Sequence, residues 1–130
     1  MIYSLLVLSS PASGHGSLTA LNFATAVINR GHQIHRVFFL DEGVMAGTSS
    51  SITPQDEINP TQQWANLAGS ESIELVLCVS SALKRGLLDA SEAQRYEKEA
   101  ETVHPSFQIS GLGQLIDASV TSDRLMTFGG

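Results

Sequence analysis

Three short apolar runs, each followed by a stretch with helical spacing, constrain this chain most. They are IYSLLVL at residues 2–8, QIHRVFFL at 33–40 and IELVLC at 73–78. Continuous runs of this kind, rich in branched residues, suit strands buried on both faces. Between them the period changes. SSPASGHG breaks the first run, and Leu21, Ala24, Val27 and Ile28 then recur on one helical face, with Ser17 as the expected cap and Gly31 as the expected stop. Asn59-Pro60 opens a second helix, with Gln62 three residues past the cap, Trp64 and Leu67 facing the core, and Gly69 closing it. A short helix near 81–85 follows the third run, and Asp89 with Glu92 form a capping-box pattern for another helix reaching to about residue 101. Phe107 to Ser110 reads as a fourth strand. Leu112, Leu115, Ile116 and Ser119 set the face of a further helix, and Leu125 to Phe128 reads as a fifth strand. Strands that alternate with helices predict a parallel sheet with helices on both faces. The expected architecture is therefore one α/β domain over residues 1–130, a doubly wound parallel sheet of about five strands.

Charge and composition narrow the function. The net charge of −6 argues against direct nucleic-acid binding, which needs a Lys/Arg surface. No apolar run approaches the roughly 20 residues of a membrane span. MIYSLLVLSSP lacks a positive start and a small-residue cleavage site, so it reads as a buried first strand rather than a signal peptide. Cys78 is the only cysteine, which excludes an internal disulfide and a CxxC pair. A cytoplasmic location is expected.

The stretch LVLCVSSALKRG, residues 75–86, places that cysteine at the end of the third strand. Ligands in open α/β sheets bind beyond the carboxyl ends of the strands. Ser80 or Ser81 is expected to cap the helix that starts there. Unpaired N–H groups at a helix start favour thiolate, and Lys84 and Arg85 stand nearby in sequence. Two readings stand at this point. Cys78 is either a nucleophile or a buried residue that fills space.

Other candidates lie on the same edge. The loop SSPASGHGS, residues 9–17, has the small residues and hydroxyls of a phosphate or flavin cradle, without a GxGxxG or P-loop pattern. His15 lies in that loop, within reach of acid–base work. His32 and His35 are spaced i, i+3 along a strand and point to opposite faces, and His104 stands alone, so no metal site is expected. Asp41-Glu42 ends the second strand, but the first strand ends in Ser9-Ser10 instead of the acids a magnesium-binding receiver domain requires.

Taken in order, several stretches resemble the DsrE/TusD family of small sulfur-relay proteins. They are the opening strand with its PASG loop, VFFLDEGV (37–44), CVSSALKRGLLD (78–89), SGLGQL (110–115) and SDRLMTF (122–128). The resemblance spans essentially the whole chain. It implies a flavodoxin-like sheet and a cysteine at position 78 that carries sulfane sulfur as a persulfide, with no bound cofactor. It implies a heterohexamer with two smaller homologous subunits, DsrF/TusC-like and DsrH/TusB-like. A TusA-like donor and a DsrC/TusE-like acceptor would complete the relay, in dissimilatory sulfur oxidation or in 2-thiouridine tRNA modification. With this resemblance, the nucleophile reading of Cys78 takes precedence over the filler reading.

Overall fold

The computed structural model describes all residues 1–130. Five strands form one sheet: β1 (Ile2–Val7), β2 (Gln33–Phe39), β3 (Glu74–Cys78), β4 (Phe107–Ser110) and β5 (Arg124–Phe128). Every pairing is parallel, and the spatial order is β4-β3-β2-β1-β5. The expected doubly wound parallel sheet is therefore present, with its strands close to the expected bounds. The chain steps outward from β1 to β4 and then returns, so that its last strand flanks β1. In the flavodoxin order the second strand takes that place. The direction of winding reverses between β1 and β5, where the loop 8–15 meets Gly129 and Gly130.

The helices are α1 (Gly16–Asn29), α2 (Pro60–Glu71), α3 (Val79–Lys84), α4 (Ala90–Arg95) and α5 (Gly113–Thr121). A 3-10 segment, Asp41–Gly47, follows β2. α1 and α2 cover one face of the sheet, where Tyr3 meets Phe23 of α1 edge-on and Phe39 meets Trp64 of α2. α5 covers the other face. There Ser4 Oγ lies 2.6 Å from Ser122 Oγ, and buried Arg36 donates to Glu74 at 2.7 Å, to Asp117 at 2.8 Å and to the Gln114 carbonyl at 2.8 Å. Arg36 and His35 together hold the Asp117 carboxyl below the usual carboxylate range. The core joins 23 buried residues across β1, β2 and β3.

Several boundaries differ from the sequence expectation. His15, not Ser17, stands at the N-cap of α1. Ser17 lies inside the first turn with its hydroxyl buried and unpartnered. α2 begins as expected, with Asn59 Oδ1 accepting the Gln62 N–H at 3.2 Å, but it runs through Gly69 and ends where Ser72 turns left-handed at φ 57°. Leu67 is only half-buried, while Trp64 is fully buried. α4 stops at Arg95, short of residue 101. On α5 the buried residue is Ala118 and Leu115 packs half-buried against the core, whereas Leu112, Ile116 and Ser119 are exposed, so the expected face meets the core only in part.

Candidate functional site

β3 lies between β2 and β4, and Leu75, Val76, Leu77 and Cys78 are all buried. The strand stops at Cys78 because α3 starts on the next residue. Cys78 therefore belongs to two elements. It pairs with Ser110 of β4 and it is the N-cap residue of α3. The helix begins earlier than expected, so Ser80 and Ser81 sit in its first turn and are not its caps. The thiol is only 2% exposed.

Burial pushes the Cys78 thiol up, because charge is disfavoured away from water. The Ser80 and Ser81 hydroxyls and backbone N–H groups pull it down, and the net effect is a thiol below its ordinary range. The Ser80 hydroxyl lies 3.5 Å from Sγ. The Cys78 side chain makes no cap hydrogen bond to the backbone of α3. The donors around Sγ favour the thiolate, the form of a cysteine that can attack sulfur.

The basic residues after Cys78 do other work. Arg85 donates to Glu42 at 2.9 Å and to the Ser81 carbonyl at 3.1 Å, tying α3 to the 3-10 segment. Lys84 is exposed, in the last turn of α3. His15 is exposed at the start of α1, above β1, with β2 between it and the strand of Cys78. It makes no hydrogen bond to the thiol. Sequence reasoning missed the role of Asp41, whose N–H donates to Ser81 Oγ at 3.0 Å across 40 positions of chain.

The loop 9–17 is built differently from a phosphate cradle. Its glycines pack against the end of the chain, so that a Cβ on Gly16 would stand 2.7 Å from the Gly129 carbonyl oxygen and one on Gly14 would strike that of Gly130. Carbonyl oxygens there repel an anion. A groove of about 740 Å³ runs beside this loop toward residues 51–61; Asp56 and Glu57 line it, and no lysine or arginine does. A smaller hollow of about 330 Å³ lies at the opposite edge, beside His32 and His35. Neither includes Cys78. No three His, Cys, Asp or Glu side chains converge as metal ligands would. His32 instead meets the terminal amine of Met1 at 2.9 Å, and His35 meets Asp117 at 3.4 Å. No helix is long and apolar enough to cross a membrane.

Known proteins resemble the chain over its whole length. The profile of the DsrE/DsrF-like family matches residues 1–128. A provisionally named sulfurtransferase, DsrE, of Allochromatium vinosum is 41% identical, over 99% of each chain. Sulfurtransferase TusD of Salmonella dublin is 38% identical, over 98% of this chain and all of its own. A TusD homolog of Pseudomonas aeruginosa is 35% identical, over 96% of this chain and 95% of its own. The crystal structure of the ychN protein of E. coli superposes with a TM-score of 0.77 over 98% of this chain and 99% of that one. Its sequence is only 17% identical, so it speaks to the fold alone.

Proposed function

The chain is a sulfurtransferase of the DsrE/DsrF-like family, and on that premise we propose that Cys78 is the atom that carries the sulfur. The observation that supports this most is a thiol held below its ordinary range at the carboxyl edge of the sheet. The Cys78 thiolate attacks the outer sulfur of a donor persulfide, R–S–SH. The new S–S bond forms as the old one breaks, the donor leaves as R–S⁻, and Cys78–S–SH remains. An acceptor thiolate then takes the outer sulfur and regenerates the Cys78 thiolate. No net oxidant or reductant is consumed, because the sulfane sulfur keeps its oxidation state. The lack of a second cysteine fits this use, since a resolving thiol in the chain would discharge the persulfide as a disulfide.

The reading takes residues 1–130 as one DsrE/TusD-like domain that works in the cytoplasm. Its donor is TusA-like and its acceptor DsrC/TusE-like, and it assembles with DsrF/TusC-like and DsrH/TusB-like subunits as a heterohexamer. The pathway proposed is dissimilatory sulfur oxidation. The rival is the tRNA 2-thiouridine relay. Deleting the gene separates them: loss of sulfur oxidation with normal 2-thiouridine supports the first, and the reverse pattern supports the second. A phosphate- or flavin-binding role for loop 9–17 is disfavoured by the carbonyls and acids around it.

Intact mass after incubation with a persulfide donor tests the chemistry. The native chain should gain about 32 Da per sulfur, reversibly with reductant, and Cys78→Ser should gain nothing. An active donor that leaves the native assembly unloaded would return Cys78 to a space-filling role.

A further inference from the structure

The segment 48–59 links the 3-10 segment to α2, and its ends are held. The Ser49 N–H donates to the Thr102 carbonyl at 2.8 Å, and Asn59 caps α2. Thr61 Oγ, in the first turn of α2, donates to the Ala46 carbonyl at 2.7 Å. Between these ties, Ser51, Ile52 and Thr53 make no main-chain hydrogen bond. Ile52 is 95% exposed, and Ile58 is exposed as well. Both line the groove of about 740 Å³ that this segment forms with loop 9–17, and exposed Leu18 of α1 lines its other side. One exposed apolar side chain is ordinary, but three from separate stretches of chain on one groove mark an interaction site.

The groove also holds polar groups that lack partners. Ser17 lines it, and its buried hydroxyl bonds to nothing in the chain. Buried hydroxyls are nearly always paired. Asp56 and Glu57 line it too, and neither is in an ion pair, whereas Glu42, Glu74 and Asp117 each hold an arginine. No lysine or arginine lines the groove. We infer that this groove docks an extended segment of a partner protein, one that carries lysine or arginine between apolar side chains. The apolar side chains of that segment cover Ile52, Ile58 and Leu18, and its cation meets Asp56 and Glu57. Its main chain has the Ser17 hydroxyl and the free groups of residues 51–53 to pair with. Charge selects against an acidic or phosphorylated segment, and against a second copy of this chain, whose net charge is −6. Each helix returns antiparallel to the strand before it, so α1 and α2 both start at the carboxyl edge of the sheet. A partner in the groove therefore stands at the edge where Cys78 ends β3. The inference goes beyond the sulfur-carrier reading and does not rest on it.

Photo-crosslinking of the full chain, in the cells that make it, tests this. Position 52 is so exposed that Ile52→benzoylphenylalanine should leave the fold intact. Irradiation should join position 52 to a partner protein. Mass spectrometry of the joined peptide should show lysine or arginine among apolar residues. Asp56→Lys with Glu57→Lys should cut the yield at least about tenfold, because like charges then meet. Both residues are exposed, so the unfolding midpoint should stay close to native. A synthetic peptide of the joined sequence should bind the native chain saturably, and more weakly as salt rises. Leu18→Ser with Ile58→Ser should weaken that binding about tenfold, through lost apolar contact. Joining to an acidic segment, to a second copy of this chain or to no protein at all overturns the inference. So does a charge-reversed chain that folds normally and cross-links as well as the native one.

Discussion

At residue scale the proposed chemistry turns on how one buried thiol is shifted toward its charged form. The same donors that lower the Cys78 thiol couple it to stability. Over the window between the folded value and the ordinary thiol value, the unfolded chain binds more protons than the folded one. Stability therefore rises with pH through that window, and it is lost as pH falls through the folded value. Denaturant midpoints measured across mildly alkaline pH should show this rise in the native chain. Cys78→Ser should flatten it, and an equally steep serine variant would place the titration elsewhere. The position of Cys78 was legible, because a strand-length run ends on it and parallel sheets bind at that edge. Its surroundings were less so. Serine is the usual cap and cysteine is not, so local preference points to Ser80 or Ser81. The contact that fixes Ser81 comes from Asp41, and nothing local in the sequence announces a left-handed aspartate.

At the scale of elements, α2 shows how strong and weak signals combine. Asn59 and Pro60 set its start correctly because the cap bond and the missing proline N–H are local physics. Gly69 misled for the opposite reason. A glycine inside a helix costs only about 1 kcal/mol, and the burial of Trp64, Ala65 and Ala68 outweighs it. The helix then ends at Ser72, in a conformation glycine usually takes. This gives a paired expectation. Gly69 is exposed, and a Cβ there meets no atom within 4 Å. Gly69→Ala should thus stabilise the chain by roughly 0.5–1 kcal/mol. Asn59→Ala should destabilise it by about 1 kcal/mol through loss of the cap. Thermal unfolding of the two variants checks both signs. A destabilising Gly69→Ala would mean that the helix does not continue through that residue.

For the molecule as a whole, alternation of strands and helices gave the layers, but not the order in which strands lie. Order depends on which crossover each helix makes, and no local pattern encodes the return of β5 to the side of β1. The return leaves the two faces unequal. α1 and α2 cover theirs with buried side chains, whereas α5 buries only Ala118. Leu112, Ile116 and Val120 recur every four residues along α5 and are 53%, 65% and 80% exposed. A helix period read from sequence cannot say whether its apolar stripe meets its own sheet or another chain. The proposed heterohexamer supplies such a chain. Hydrogen exchange then has a definite expectation. In the isolated chain the amides of α5 and β5 should exchange faster than those of β2 and β3, since little side-chain packing opposes local opening. Co-assembly with the DsrF/TusC-like and DsrH/TusB-like subunits should slow α5 and β5 selectively. Complete assembly with no added protection there would show that this apolar stripe faces solvent in the working particle and that the subunits meet on another surface.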